Sequence, residues 1–195
     1  MSQPASGDRK AASRARILEV GGRAVRRAGF HGVGIADVMK EAGLTHGGFY
    51  AHFASRDALL CAAVEQAAAD SIAAMEAQAH RLVAAGVSPF RAMLETYLYE
   101  GVIADRECGC AMAALSSEMP IQSDPVVAAS REVARRLQRH VQRALPPDLP
   151  ADAAWAITAA LLGALQLART LGDNDEGRAV LAATRRELLA RYAPA

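Results

Sequence analysis

A chain of 195 residues that is 52% hydrophobic but only 5% aromatic, and rich in alanine, points to packed helices long enough to bury a real core. Its three cysteines, an odd count, argue against a disulfide framework, and the polar start MSQPASGDRK lacks the apolar stretch of a signal peptide, so a reducing cytoplasm is expected. The net charge of +1 is unevenly divided: residues 1–56 carry nine Lys/Arg against four Asp/Glu, a net of +5, whereas residues 57–195 carry thirteen against seventeen, a net of −4. A positive field gathered at one end suits a polyanionic partner.

Residues 1–9 are polar and expected to be disordered. A first helix is predicted from about Lys10 to Arg27, with Ile17, Val20, Ala24 and Ala28 on one stripe and Arg14, Arg16, Arg23, Arg26 and Arg27 on the other faces. Gly29 stops it and Phe30 turns the chain inward. Ile35, Val38 and Met39 then share a helical face that Ala42 extends. Gly43 can take positive φ just past that helix, Leu44 is an apolar plug, and Thr45 is a natural N-cap for a second short helix, about His46 to His52. Two helices joined by three or four residues containing Gly have the spacing of a helix-turn-helix, whose second helix lies in a DNA major groove.

That second helix is an odd one. Gly47 and Gly48 each cost about 1 kcal/mol relative to Ala. Packing rarely favours such a pair, whereas close approach to another backbone does. Phe49 and Phe53, at i and i+4, anchor the helix inward, leaving Tyr50 and His52 as donors for phosphate oxygens. Ser55 is a second N-cap. Asp57 suits the positive end of the next helix dipole, and Arg56 is a candidate phosphate contact.

The run Thr45-His46-Gly47-Gly48-Phe49-Tyr50-Ala51-His52-Phe53-Ala54-Ser55-Arg56-Asp57-Ala58-Leu59 resembles the recognition helix and the start of the fourth helix of the TetR family of bacterial transcription regulators. The likeness reaches back through Gly29-Phe30 and Ile35 to Leu44. It implies an all-α fold of about nine helices. An N-terminal three-helix DNA-binding domain would cover residues 1–55, and a larger helical bundle for effector binding and dimerisation residues 56–195. It also implies DNA contacts from Thr45, His46, Gly47, Gly48, Tyr50, His52 and Arg56. Three positions depart from the family pattern: Gly34 stands where a Thr or Ser cap is usual, Gly48 replaces a side chain that often reads a base, and Arg56 replaces a Lys.

Beyond this unit a long helix is predicted over about Arg56–Ala84, with Leu59, Leu60, Val64, Ala67, Ile72, Met75 and Leu82 facing the core and Cys61 as a small buried hydrophobe. Ser88 and Pro89 open the next helix, which carries Phe90, Met93, Leu94, Tyr97 and Leu98 and is expected to reach about Ala104. Residues 105–110 break the pattern, and a short helix follows from Ala111 to Glu118, ended by Pro120. Ser123–Leu145 is amphipathic, with Arg131, Arg135, Arg136, Arg139 and Arg143 as a solvated ridge. Two last helices are predicted at about Ala151–Leu171 and Glu176–Tyr192; Ala156, Ala159, Ala160, Gly163, Ala164 and Leu167 of the first allow close helix approach, and the second carries Val180, Leu181, Thr184, Leu188 and Leu189. Ala153–Ala168 is the longest uncharged run and falls short of the roughly 20 residues a membrane span needs, so a buried helix and no membrane are expected.

From the residues and the resemblance together, the expectation is a ligand-responsive transcriptional regulator of the cytoplasm, a repressor by the family's habit. It would bind a palindromic operator in double-stranded DNA as a homodimer. The resemblance implies dimerisation through the helices at about 151–171 and 176–192, and twofold symmetry suits two half-sites about 34 Å apart. It also implies a small-molecule pocket between the middle helices and the Ala151–Leu171 helix, for which Met93, Tyr97, Met112, Leu115, Trp155, Leu162 and Gln166 are lining candidates; core packing competes for each.

Cys108 and Cys110, with Gly109 between them and Arg106 nearby, admit three readings: structural loop cysteines, a thiol sensor, or a metal site lacking its other ligands. No cofactor and no metal are expected. A small helical enzyme and a protein-binding adaptor are the rival classes, but there is no Gly-rich phosphate loop, no His-Glu metal motif and no nucleophile elbow. Salt-sensitive binding to duplex DNA separates the regulator from both.

Overall fold

In the computed structural model, residues 6–107, 109–150 and 152–193 are described, and among them the chain is all-α. Eight α-helices run in order: α1 Ser6–Ala28, α2 Ile35–Glu41, α3 Arg56–Ala84, α4 Pro89–Tyr97, α5 Ala111–Leu115, α6 Asp124–Ala144, α7 Ala153–Leu171 and α8 Asp175–Tyr192. Short 3-10 segments at His46–Ala51, Glu100–Val102 and Met119–Ile121 join them. Counting the His46–Ala51 segment, the second half of the helix-turn-helix, with the eight α-helices gives nine helices among the described residues.

α3 organises the rest. At 1.5 Å per residue its 29 residues span about 43 Å, and it packs against α1 at one end and α4 and α6 further along. Ser55 caps it, its hydroxyl accepting from Ala58 N at 3.1 Å. Two clusters hold the molecule. The first joins α1, α2 and Phe49 and Phe53 to the first half of α3, and continues into Ala111, Leu115, Met119 and the start of α6. The second gathers α4, the end of α6, α7 and α8 around Phe90, Leu94, Ile157, Leu161 and Leu165. Apolar packing therefore runs on past residue 55 into α5 and α6.

Two helices, α3 and α7, are long and apolar enough to cross a membrane by length and composition. Both are packed within the bundle, α7 against α8 and α6, and their apolar faces form its core.

Several boundaries differ from the sequence reading. α1 begins at Ser6, so residues 6–9 are helical rather than disordered; Asp8 lies in that first turn, where a carboxylate offsets the helix dipole. Residues 1–5 lie outside the described residues. α4 stops at Tyr97 instead of about Ala104, because Tyr99 takes an extended conformation (φ −76°, ψ 145°) that interrupts the ladder. α5 ends at Leu115 rather than Glu118, and Pro120 sits inside a following 3-10 turn. Thr45 and Ser88 occupy N-cap positions, but neither hydroxyl makes a cap bond. α6 and α8 begin and end within a residue of expectation; α7 starts at Ala153, and Ala151 lies outside the described residues.

Candidate nucleic-acid interface and effector cavity

The turn between α2 and the next segment is set by Gly43. Its φ of +69° is open to glycine at little cost, and Leu44 N closes the helix end on Met39 O at 2.9 Å. The segment that follows, His46–Ala51, is a 3-10 helix rather than the α-helix expected, with Gly48 N on Thr45 O at 3.0 Å and His52 N on Phe49 O at 2.9 Å. Six residues opening on two glycines have too little propensity to propagate an α-helix, and tertiary anchoring holds the tighter form instead. That anchoring is aromatic. Phe49 and Phe53 are buried and stack at 5.8 Å, and the Arg14 guanidinium lies 5.0 Å over the Phe53 ring. Truncating either Phe to Ala would cost about 3–5 kcal/mol.

With the two rings inward, Thr45, His46, Gly47 and Tyr50 face solvent, Tyr50 at 69% exposure, while Gly48 and His52 are half-buried. Neither glycine is required by the fold. Both have negative φ; a Cβ on Gly47 would meet nothing within 4 Å, and one on Gly48 only ordinary contacts at 3.6 and 3.7 Å.

Arg56 is differently employed from the expectation of a phosphate contact alone. Its Nε donates to Val33 O at 3.2 Å and its Nη2 to Phe30 O at 2.5 Å, so it ties the loop between α1 and α2 to the head of α3. The planar guanidinium serves the two carbonyls from two separate nitrogens held in a fixed fork, which an ammonium lacks. Residue type alone did not reveal this role.

The same end of the molecule is bound to the bundle. Arg26 Nε donates to Glu107 O at 2.5 Å and its Nη1 to Ala67 O at 3.0 Å, and Arg27 pairs with the Glu107 carboxylate at 2.6 Å. Phe30 N donates to Glu118 Oε2 at 2.9 Å. Gly29, at φ +71°, leaves room for that carboxylate; a Cβ there would stand 2.1 Å from Glu118 Oε1. Three of the five arginines on the α6 ridge pair within the chain, Arg135 and Arg139 with Glu132 and Arg143 with Glu76.

A cavity of about 560 Å³ opens between α3, α4 and the loop that follows α4. Of the seven lining candidates from the sequence, only Tyr97 reaches it. Met93 and Leu115 are closed into the core, and Met112 lies beside a far smaller gap among α3, α5 and α6. Leu162 is half-buried on α7, Trp155 is 49% exposed on its outer face, and Gln166 donates to Ala113 O and borders a separate cleft lined by Arg26, Arg27, Arg106 and Arg169. Periodicity identifies the face a helix buries, not where two buried faces fail to meet. The polar residues that do line the cavity include Ser71, Gln78, Glu95, Thr96 and Tyr99. Ser71 and Thr96 interrupt otherwise apolar faces, the one sequence signal that would have pointed there.

Cys110 forms part of the cavity wall at 6% exposure. Burial pushes its thiol up, against smaller opposing effects of the Tyr97 hydroxyl and the Arg169 charge, so it stands as a neutral thiol. Cys108 lies outside the described residues. Cys61, half-buried on α3, is likewise pushed up by burial and by Glu65 and Asp57. Among the described residues no three His, Cys, Asp or Glu side chains converge as metal ligands.

Residues 17–63 match the family model for bacterial regulatory proteins of the tetR family. No curated protein matches the chain. Among solved structures, a TetR-family transcriptional regulator from Agrobacterium tumefaciens is 25% identical, with 94% of this chain and 98% of that one superposed at a TM-score of 0.67. The regulatory protein TetR from Rhodobacter sphaeroides, 20% identical, superposes over 93% and 99% at 0.72. The reduced form of E. coli NemR, 22% identical, superposes over 90% and 96% at 0.70. The last two establish the shared fold. The matched segment covers the end of α1, the helix-turn-helix and the head of α3, the same elements that present an exposed, glycine-opened recognition segment on an aromatic base, so residues 17–63 are similar to the DNA-binding segment of bacterial regulatory proteins of the tetR family.

Proposed function

We propose that the chain is a cytoplasmic repressor that binds a palindromic operator as a homodimer and is released by a small molecule. The observation that carries this reading is the Gly47-Gly48 pair, exposed or half-exposed, with no conformational or packing need for either glycine. Such a pair lets the segment approach a DNA backbone closely, with Thr45, His46, Tyr50 and His52 placed to donate to phosphates or bases. Arg56 contributes by holding the loop before α2, and its remaining donors are available to a phosphate.

Dimerisation is supported by the outer face of α7, where Trp155 and Leu167 are 49% and 52% exposed beside exposed Ala156, Ala159 and Gly163. α8 continues it with exposed Ala179, Ala182 and Ala183. Large apolar groups set among small residues are the composition of a close helix–helix contact between copies.

Release requires the cavity to bear on the DNA-binding end. The loop at 105–110 supplies a short route. Ser71, on the cavity wall, donates to Gly109 O at 2.6 Å, and Glu107 two residues earlier holds Arg26 and Arg27 of α1. A ligand that displaces this loop would shift the balance between two placements of α1, in proportion to its differential affinity for them. A thiol trigger at Cys110 finds less support, because its thiol is buried and neutral.

The test is fluorescence anisotropy against DNA flanking the gene, with excess nonspecific competitor, alongside light scattering for mass. A competitor-resistant inverted repeat bound by a dimer is expected, with Leu167→Glu giving monomers that lose the operator. Dimers that persist in Leu167→Glu would move the interface elsewhere. If neither flanking DNA nor selection from genomic fragments yields a bound sequence, the repressor reading is refuted.

A further inference from the structure

The chemical character of the cavity can be read from which of its polar groups are already used. The single Ser71 hydroxyl proton has Ala67 O at 2.7 Å and Gly109 O at 2.6 Å as acceptors, and Thr96 donates to Met93 O at 2.9 Å, so both hydroxyls are committed to backbone carbonyls. Tyr97 is only 3% exposed, and its hydroxyl has no hydrogen-bond partner. The Cys110 thiol stands close enough to act on its ionisation as a weak hydrogen-bonding neighbour, but it falls short of hydrogen-bond geometry, and sulfur is a poor acceptor. A buried hydroxyl without a partner is unfavourable, and a ligand that supplies an acceptor removes that penalty.

The charges exclude as much as the hydroxyl invites. Among the described residues no lysine, arginine or histidine lines the cavity, and the one carboxylate among them, Glu95, is held by Arg91 at 2.9 Å. An anion would leave water for apolar walls with a carboxylate at their edge and no counter-ion. A cation would find the one carboxylate already paired. Arg169 lies behind the wall with its guanidinium on the carbonyls of Val102 and Asp105.

We propose that this cavity takes an uncharged, largely apolar molecule with one hydrogen-bond acceptor, such as a carbonyl oxygen, that lodges against the Tyr97 hydroxyl. The proposal rests on the reading of the chain as a ligand-released regulator. Burial and the Cys110 thiol push the Tyr97 phenol well above its ordinary range, so it remains a donor throughout the accessible pH range.

Three probes with one skeleton test it: 2-acetylnaphthalene, neutral with an acceptor; 2-ethylnaphthalene, neutral without one; and 2-naphthoate, an anion. Calorimetry on the full chain should show the ketone binding about 3- to 10-fold tighter than the ethyl compound, the range of one neutral hydrogen bond, and the naphthoate binding weakest. In Tyr97→Phe the ketone's advantage should vanish, while the melting temperature of the ligand-free protein stays level or rises. A fall in that temperature would mean the hydroxyl has a structural partner and would overturn the proposal. So would tightest binding by naphthoate, a ketone preference that survives in Tyr97→Phe, or no binding by any probe. Ala74→Trp, at an exposed position on the cavity wall, should block the two neutral probes; undiminished binding would place their site elsewhere. Operator binding without ligand is measured in parallel, so loss of DNA binding refutes the regulator and a failed probe series refutes only the ligand class.

Discussion

Alanine at position 47 would set its Cβ in open space, since nothing lies within 4 Å of that point and the backbone there has negative φ. Gly47→Ala should therefore stabilise the free protein, by restricting the unfolded chain and improving helical propensity, by about 0.4–1 kcal/mol. For a chain of this size that is roughly 1–4 °C in melting temperature. If the glycine is there for close approach to DNA, the added methyl must push the recognition segment outward, and loss of even one charge-assisted phosphate contact weakens operator binding by about tenfold or more. The two effects have opposite sign, which separates a DNA-contact role from a folding role. Urea unfolding of the free protein, with anisotropy on the operator at fixed salt, measures both. A protein that is more stable and binds the operator as tightly as before would refute the argument from the glycine pair.

Gly29→Ala should destabilise by about 1–2 kcal/mol or more, because φ of +71° is strained for alanine and the Cβ meets the Glu118 carboxylate; urea unfolding of Gly29→Ala with Glu118→Ala checks it, the double variant recovering only the steric part. Arg56→Ala should lose about 1–3 kcal/mol of stability as well as DNA affinity, since two carbonyls of the loop before α2 lose their donors, and an unchanged melting temperature would contradict that role. His140, buried at 6% exposure, is pushed below its ordinary pKa by burial and the Arg143 charge, against the raising effect of Glu76 at 3.3 Å. The folded state thus favours neutral His140. Its contribution is present above the ordinary histidine pKa of about 6.5 and is lost as pH falls below it, so chemical denaturation from pH 7.5 to 5 should show a loss that His140→Gln reduces.

The helix-turn-helix was legible in residues 35–59 because its determinants are local: Gly43 at positive φ, Ser55 capping α3, and Phe49 with Phe53 at i and i+4. Helical periodicity likewise placed α3, α6, α7 and α8 to within about two residues at each end, since each must bury one apolar stripe. Tertiary structure alone decided the rest. The 3-10 form of His46–Ala51 depends on anchoring that propensity does not describe, and the second task of Arg56 depends on where Phe30 and Val33 turn their carbonyls. The cavity eluded the sequence for the same reason. A gap belongs to the space between α3, α4 and the loop after α4, and no residue carries by itself the information that its neighbours stop short of it.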